Sequence, residues 1–159
     1  MRAAKTADEW FAAYGESHQN ETNEVIHWIC VPTIFCCVLG LVWSIPVPGP
    51  LAAAAPWFNW SLPAAVAVLL FYLRLSVPLA VGMFLFMGAC DALIEWHAYA
   101  CPFAVWKSSL LLFVLAWVGQ FIGHRIEGRK PSFLHDIVFL LIGPAWLLHF
   151  IYKKLGVRY

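Results

Sequence analysis

Charge is what this chain has least of. Asp, Glu, Lys and Arg make up only 12% of its 159 residues, while 62% are hydrophobic. A soluble domain is roughly a quarter charged, so too few charges remain to cover a water-facing surface. The net charge is +1 and no basic patch interleaves with aromatics, which excludes a nucleic-acid partner. CxxC spacing is also missing, and the cysteine count is odd. Cys30, Cys36, Cys37, Cys90 and Cys101 lie in or beside apolar stretches, so they are expected to be reduced packing residues, not disulfides or metal ligands. Residues 1–24 are polar and mixed in charge, without the basic and apolar regions of a signal peptide, so none is expected.

What is there is oil, in pieces of membrane length. Five apolar segments run roughly over Val25–Ile45, Pro56–Leu73, Val77–Ile94, Phe103–Ile122 and Phe133–Tyr152. Each approaches the ~20 residues that cross ~30 Å of hydrocarbon as a helix, and lipid admits helices because they satisfy their own backbone. Breakers separate them: "SIPVPGP", "RLSVP", "YACP" and "EGRKP". The expectation is one all-α domain over residues 1–159, an integral membrane bundle of four spans. The fifth helix is left open between a full span and a bent or re-entrant one, because Gly143-Pro144 sits in its middle. Ahead of the spans, Trp10, Phe11 and Tyr14 share one side of a short helix within residues 6–18, expected to lie on the membrane interface. Arg2 and Lys5 at the N-terminus, Arg74 in the turn between the second and third segments, and Arg125, Arg129 and Lys130 in the loop after the fourth set these three places in the cytoplasm; Lys153, Lys154 and Arg158 break the pattern if the fifth segment spans.

The polar residues gather in two places. In "YGESHQNETNEVIHW", His18 and His27 stand nine residues apart. On a straight helix that is about 900° of rotation, so the rings would point in opposite directions. "QNETN" resolves the conflict: Asn20, Thr22 and Asn23 are good N-cap residues, and Glu21 and Glu24 favour a helix start. The chain is therefore expected to bend between the two histidines, with Asn23 and His27 one turn apart on the new helix. In "WVGQFIGHRIEGRKP", Gln120, His124 and Glu127 form a stripe, Gly119 and Gly123 permit close approach by a neighbouring helix, and Gly128 and Pro131 end it. An even number of crossings brings His18, His27 and His124 to the same membrane face. Three imidazoles and a carboxylate suit a divalent transition metal; residues that only bond headgroups and helix ends would read the same way. His135, three residues after the cap candidate Ser132, is a candidate fourth ligand. Asp91 is expected to face the bundle interior, Glu95 to be a solvated helix end, His97 to lie on the opposite side, and His149 to be structural or interfacial.

Taken together, "YGESHQNETNEVIHWICVP", with Tyr14, His18, Asn23, His27 and Pro32, and "GQFIGHRIEGRKPS", with Gln120, Gly123, His124, Glu127 and Pro131, resemble the membrane family of 2-hydroxy fatty acid dioxygenases. The likeness extends over nearly the whole chain. Two positions depart from the characterised eukaryotic members. Gln19 stands where they carry a second His, and Glu127 follows His124 by three residues where theirs follows by four. The resemblance implies an iron(II) enzyme of fatty acid α-oxidation: a long-chain 2-hydroxy fatty acid and O₂ give the acid one carbon shorter and CO₂. It implies His18, His27 and His124 as ligands, with Glu127 either a further ligand or the acid that holds an imidazole in its tautomer. Asn23 and Gln120 would orient rings, and Tyr14 would meet the substrate carboxylate or simply pack. Two other classes stay open on the residues alone: a membrane zinc hydrolase of lipid amides or esters with Glu127 as base, and a non-enzymatic membrane scaffold or carrier.

Overall fold

The computed structural model describes residues 5–131 and 138–159. His135 and Ser132 lie outside the described residues. Among the described residues every regular element is a helix: α1 Ala7–Gly15, α2 Glu21–Trp43, α3 Gly49–Ala54, α4 Ser61–Leu75, α5 Val77–Ala100, α6 Val105–Glu127 and α7 Phe139–Leu155.

Local chemistry sets the ends. Thr6 and Glu9 form a reciprocal capping box that starts α1. Asn20 Oδ1 accepts from the Thr22 and Asn23 amides (3.0 and 3.3 Å) and starts α2, so the chain does bend between His18 and His27. Ser76 ends α4 and caps α5, which makes their turn tight. Gly128, in the left-handed region at φ 74°, closes α6.

Three helices, α2, α5 and α6, are long and apolar enough to cross a membrane. Their outward faces carry bare aliphatic side chains, among them Ile29, Leu85, Leu93, Leu111 and Leu115, all more than half exposed. That much apolar surface needs a lipid solvent. α4 and α7 are apolar but shorter, at 15 and 17 residues. α4 starts at Ser61, later than the apolar run beginning at Pro56, because Asn59 Oδ1 accepts from the Ser61 amide (3.0 Å) and fixes the start there. The short α3 lies in a loop where the sequence pattern predicts no helix; Pro50 near its start fits the first turn. α7 is continuous through Pro144, and Tyr72 Oη donates to the Leu141 carbonyl at 2.6 Å beside it.

Two apolar clusters hold the bundle. One joins Phe11 and Tyr14 of α1 to Ile142, Ala145 and Trp146 of α7, with Tyr72, Leu79 and Met83. The apolar side of α1 is thus covered by α7: Trp10 packs on Phe139 with ring centroids 5.3 Å apart. The other cluster joins Leu39, Met87, Cys90, Ile94 and Val105. All five cysteines are free. α2 lies against α6 over most of its length, and small residues let it: Gly119 faces Cys30, Gly123 faces Asn23, and Gly40 faces Ser109. Asp91 turns inward to accept from Ser61 Oγ at 3.0 Å.

Candidate metal centre

α1 delivers His18 just past its C-terminus, where helical carbonyls have lost their partners. The Tyr14 carbonyl lies 2.6 Å from His18 Nδ1. A carbonyl only accepts, so Nδ1 carries the proton and Nε2 a lone pair. On α2, one turn on from the cap, His27 Nδ1 likewise donates to a backbone carbonyl, that of Asn23, at 2.8 Å. His124 arrives from the last turn of α6, brought close by Gly119 and Gly123.

The three buried rings converge. Centroids are 4.3 Å apart for His18 and His27, 5.0 Å for His18 and His124, and 4.8 Å for His27 and His124. One nitrogen from each lies within 4.8 Å of the others. The planes are steeply inclined, at 70–85°, so the rings do not stack but offer edges to a common point. Among the described residues, His18 Nε2, His27 Nε2 and His124 Nδ1 are all buried without a hydrogen-bond partner. An unpaired buried polar atom costs about 1–3 kcal/mol. Each ring of the cluster carries one, and two of the rings have their protons held on the other nitrogen. Proteins hold metal-binding imidazoles in this way. The residues fit a divalent transition metal. Burial pushes the His18 imidazolium down to about 4, against the Tyr14 hydrogen bond that favours it, so the ring is neutral and ligand-ready near pH 7.

Glu127 supports this cluster from outside. Its carboxylate accepts from the Gln19 amide (2.9 Å), the Asn20 amide (2.9 Å) and Asn23 Nδ2 (3.0 Å). It therefore ties the end of α6 to the corner between α1 and α2. Asn23, fully buried, also donates to the Ser17 carbonyl at 3.2 Å. The Tyr14 ring stacks on His18 at 4.1 Å and 16°, and burial raises its hydroxyl well above the usual range, which keeps it a proton donor. Gln120 is buried one turn from His124. Gln120, His124 and Tyr14 line one end of an apolar cavity of about 450 Å³.

Comparison with known proteins supplies the family. A family model described as "2-hydroxy-palmitic acid dioxygenase Mpo1-like" matches residues 4–155. The chain belongs to the Mpo1-like family. It is 31% identical over 145 residues to 2-hydroxy-palmitic acid dioxygenase MPO1 of Saccharomyces cerevisiae, covering 87% of this chain and 75% of that protein. No solved structure gives a significant match.

Within this Mpo1-like chain, Gln19 takes no part in the imidazole cluster. Its Nε2 donates to the Gly15 carbonyl at 2.6 Å, in an exposed position. His97 and His149 stand apart from the cluster. His97 Nε2 lies 2.9 Å from Ser108 Oγ at the turn between α5 and α6, and His149 Nδ1 bonds Tyr159 Oη, which donates to Asp8. Two kinds of participant escape the sequence pattern. The ring-orienting groups on His18 and His27 are backbone carbonyls; the i, i+4 spacings Tyr14–His18 and Asn23–His27 are the signal for them. Trp146 of α7 packs against Tyr14 at 5.2 Å and His18 at 5.4 Å, with no signal beyond its place in an apolar segment.

Proposed function

We propose that this protein is an iron(II)-dependent dioxygenase that removes C1 from a long-chain 2-hydroxy fatty acid. The observation that carries the reading is the convergence of three buried imidazoles, each with a nitrogen that has no hydrogen-bond partner, in a chain of this family. The reaction R–CHOH–COOH + O₂ → R–COOH + CO₂ + H₂O balances without a cosubstrate, because the substrate supplies all four electrons. Iron(II), when bound, would activate dioxygen and offer positions for the substrate's hydroxyl and carboxylate; neutral imidazoles suit it. His18, His27 and His124 would hold the metal. The Tyr14 and Asn23 carbonyls keep two of the rings in the ligating tautomer. The Tyr14 hydroxyl and the Gln120 amide stand where the cavity meets His124, able to donate to the substrate's carboxylate, and the apolar walls keep water out.

The rival hydrolase needs Glu127 as a free base, and three donors already occupy that carboxylate. Arg125 and Arg129 beside the site support a cytoplasmic orientation. The test is anaerobic purification with elemental analysis, followed by oxygen uptake and product analysis. Iron near one or two per chain, with O₂ consumed in step with the shortened acid, is the expected result. An iron-loaded protein that consumes no O₂ on any 2-hydroxy acid, yet cleaves a lipid amide with zinc, would replace this reading by the hydrolase.

A further inference from the structure

The apolar cavity beside the three histidines has its hydrogen-bonding side chains gathered at one end. Tyr14, Gln120 and His124 line that end, and beyond them the walls are aliphatic and aromatic. Two helices measure its depth. From Val31 to Val42 on α2, and from His124 to Phe113 on α6, the lining residues cover three turns, about 16 Å. One leaflet of a bilayer, half of ~30 Å of hydrocarbon, is about as deep. A slot with one polar end, apolar walls and the depth of one leaflet matches one extended acyl chain of membrane-lipid length, with its acid at the polar end. Its volume, about 450 Å³, lies in the ~300–1,000 Å³ range of small-molecule sites. The floor is made by Val42 of α2, Ala64 of α4 and Phe113 of α6. Ala64 has the smallest side chain of the three, so α4 is the wall on which added bulk would shorten the slot most.

We infer that this cavity seats the substrate's acyl chain with its ω-end on Val42, Ala64 and Phe113, and that Ala64 sets the longest chain accepted. The inference rests on the proposed activity for its turnover readout, but not for its binding readout. Ala64→Phe should lower the ratio of kcat/KM on long-chain over medium-chain 2-hydroxy acids by at least about tenfold, the size of discrimination that a methylene's fit supplies in an apolar pocket. Val42→Phe, on the facing wall, should act in the same direction. Val114→Phe, on a half-exposed outward position of α6, should leave the ratio unchanged. Independently, a long-chain 2-hydroxy acid bearing a photoactivatable diazirine at its ω-carbon should label wild-type peptides containing residues 42, 64 or 113. Label confined to other peptides, or an unchanged chain-length profile in both floor variants with normal metal content, would overturn the inference. Wild-type protein labelled at the floor without turning over any 2-hydroxy acid would sink the proposed activity and leave the chain-binding slot standing.

Discussion

His18 donates its Nδ1 proton to the carbonyl of Tyr14, 2.6 Å away, from one residue beyond the turn that ends α1. A helix C-terminus leaves carbonyls without intrahelical partners, and here one of them, which also accepts from Ser17, fixes which nitrogen of a buried imidazole stays bare. The Tyr14 ring then stacks on that same imidazole. Backbone and side chain of one residue thus set both the tautomer and the plane of His18. Helix termination and site construction are the same event.

Removing a ligand should separate the metal from the membrane fold. Insertion depends on apolar length, not on an imidazole at the end of α6. His124→Ala is expected to insert at wild-type levels but to lose iron by more than the ~10–100-fold that loss of an outer partner costs, and to lose turnover with it. Iron content and oxygen uptake of the purified variant check this. Full iron and full turnover would remove His124 from the site.

Much of this arrangement is legible in residue order. The cap-rich "QNETN" announces the bend that lets His18 and His27 face each other, and Gly119 and Gly123 announce where α6 meets a partner. Other parts are not legible. A side-chain pattern says nothing about lone pairs of the backbone, so the roles of the Tyr14 and Asn23 carbonyls cannot be told from those of their side chains. The Asn23 side chain in fact binds Glu127 and the Ser17 carbonyl. Trp146 reaches His18 from far along the chain because α7 docks on α1, and docking is fixed by packing, not by local propensity. The start of α4 follows from the turn that the Asn59 side chain makes with the Ser61 amide, and not from where the apolar run begins.

Glu127 should matter without touching the metal. It joins α6 to the amides of Gln19 and Asn20 and to Asn23. Glu127→Ala frees the corner between α1 and α2, which carries two of the three histidines. The expected result is roughly a 10–100-fold weaker metal affinity, as for other outer partners, with metal still bound at high iron. Titration of the apo protein with iron(II) under anaerobic conditions reads it. Complete loss of binding at saturating metal would make Glu127 a ligand instead.

Gly123 is a contact, not a conformational need, since its backbone is ordinary helix. A Cβ there would run into Asn23 Oδ1, and the side chain of Asn23 is fully buried. Overpacking of this kind costs about 1–3 kcal/mol. Gly123→Ala should lower the thermal midpoint in detergent and spread His124 from His27, reducing iron occupancy together with stability. Gly128→Ala, at the exposed end of α6 where no atom crowds the position but φ is +74°, should destabilise through backbone strain while changing iron occupancy less. Equal losses of iron in both would show that general destabilisation, not helix separation, controls the site.

Acid should unlatch the apo protein through His18. Burial holds its folded-state value near 4, below the 6.5 of an exposed imidazole. Between those values the unfolded chain binds a proton that the folded chain refuses, so folding stability rises with pH across that window. The contribution is fully present above about 6.5 and is lost as pH falls toward 4. Apo protein in detergent should therefore lose stability as pH falls from 6.5 to 4, on the order of a few kcal/mol if the whole shift is realised. His18→Gln, which cannot titrate there, should flatten that slope. Iron should steepen the loss, because protons and metal compete for the same lone pair. Thermal midpoints of apo wild type and apo His18→Gln, taken in steps from pH 7 to 4, decide the point. Parallel curves would mean that His18 is not the group that carries the acid sensitivity.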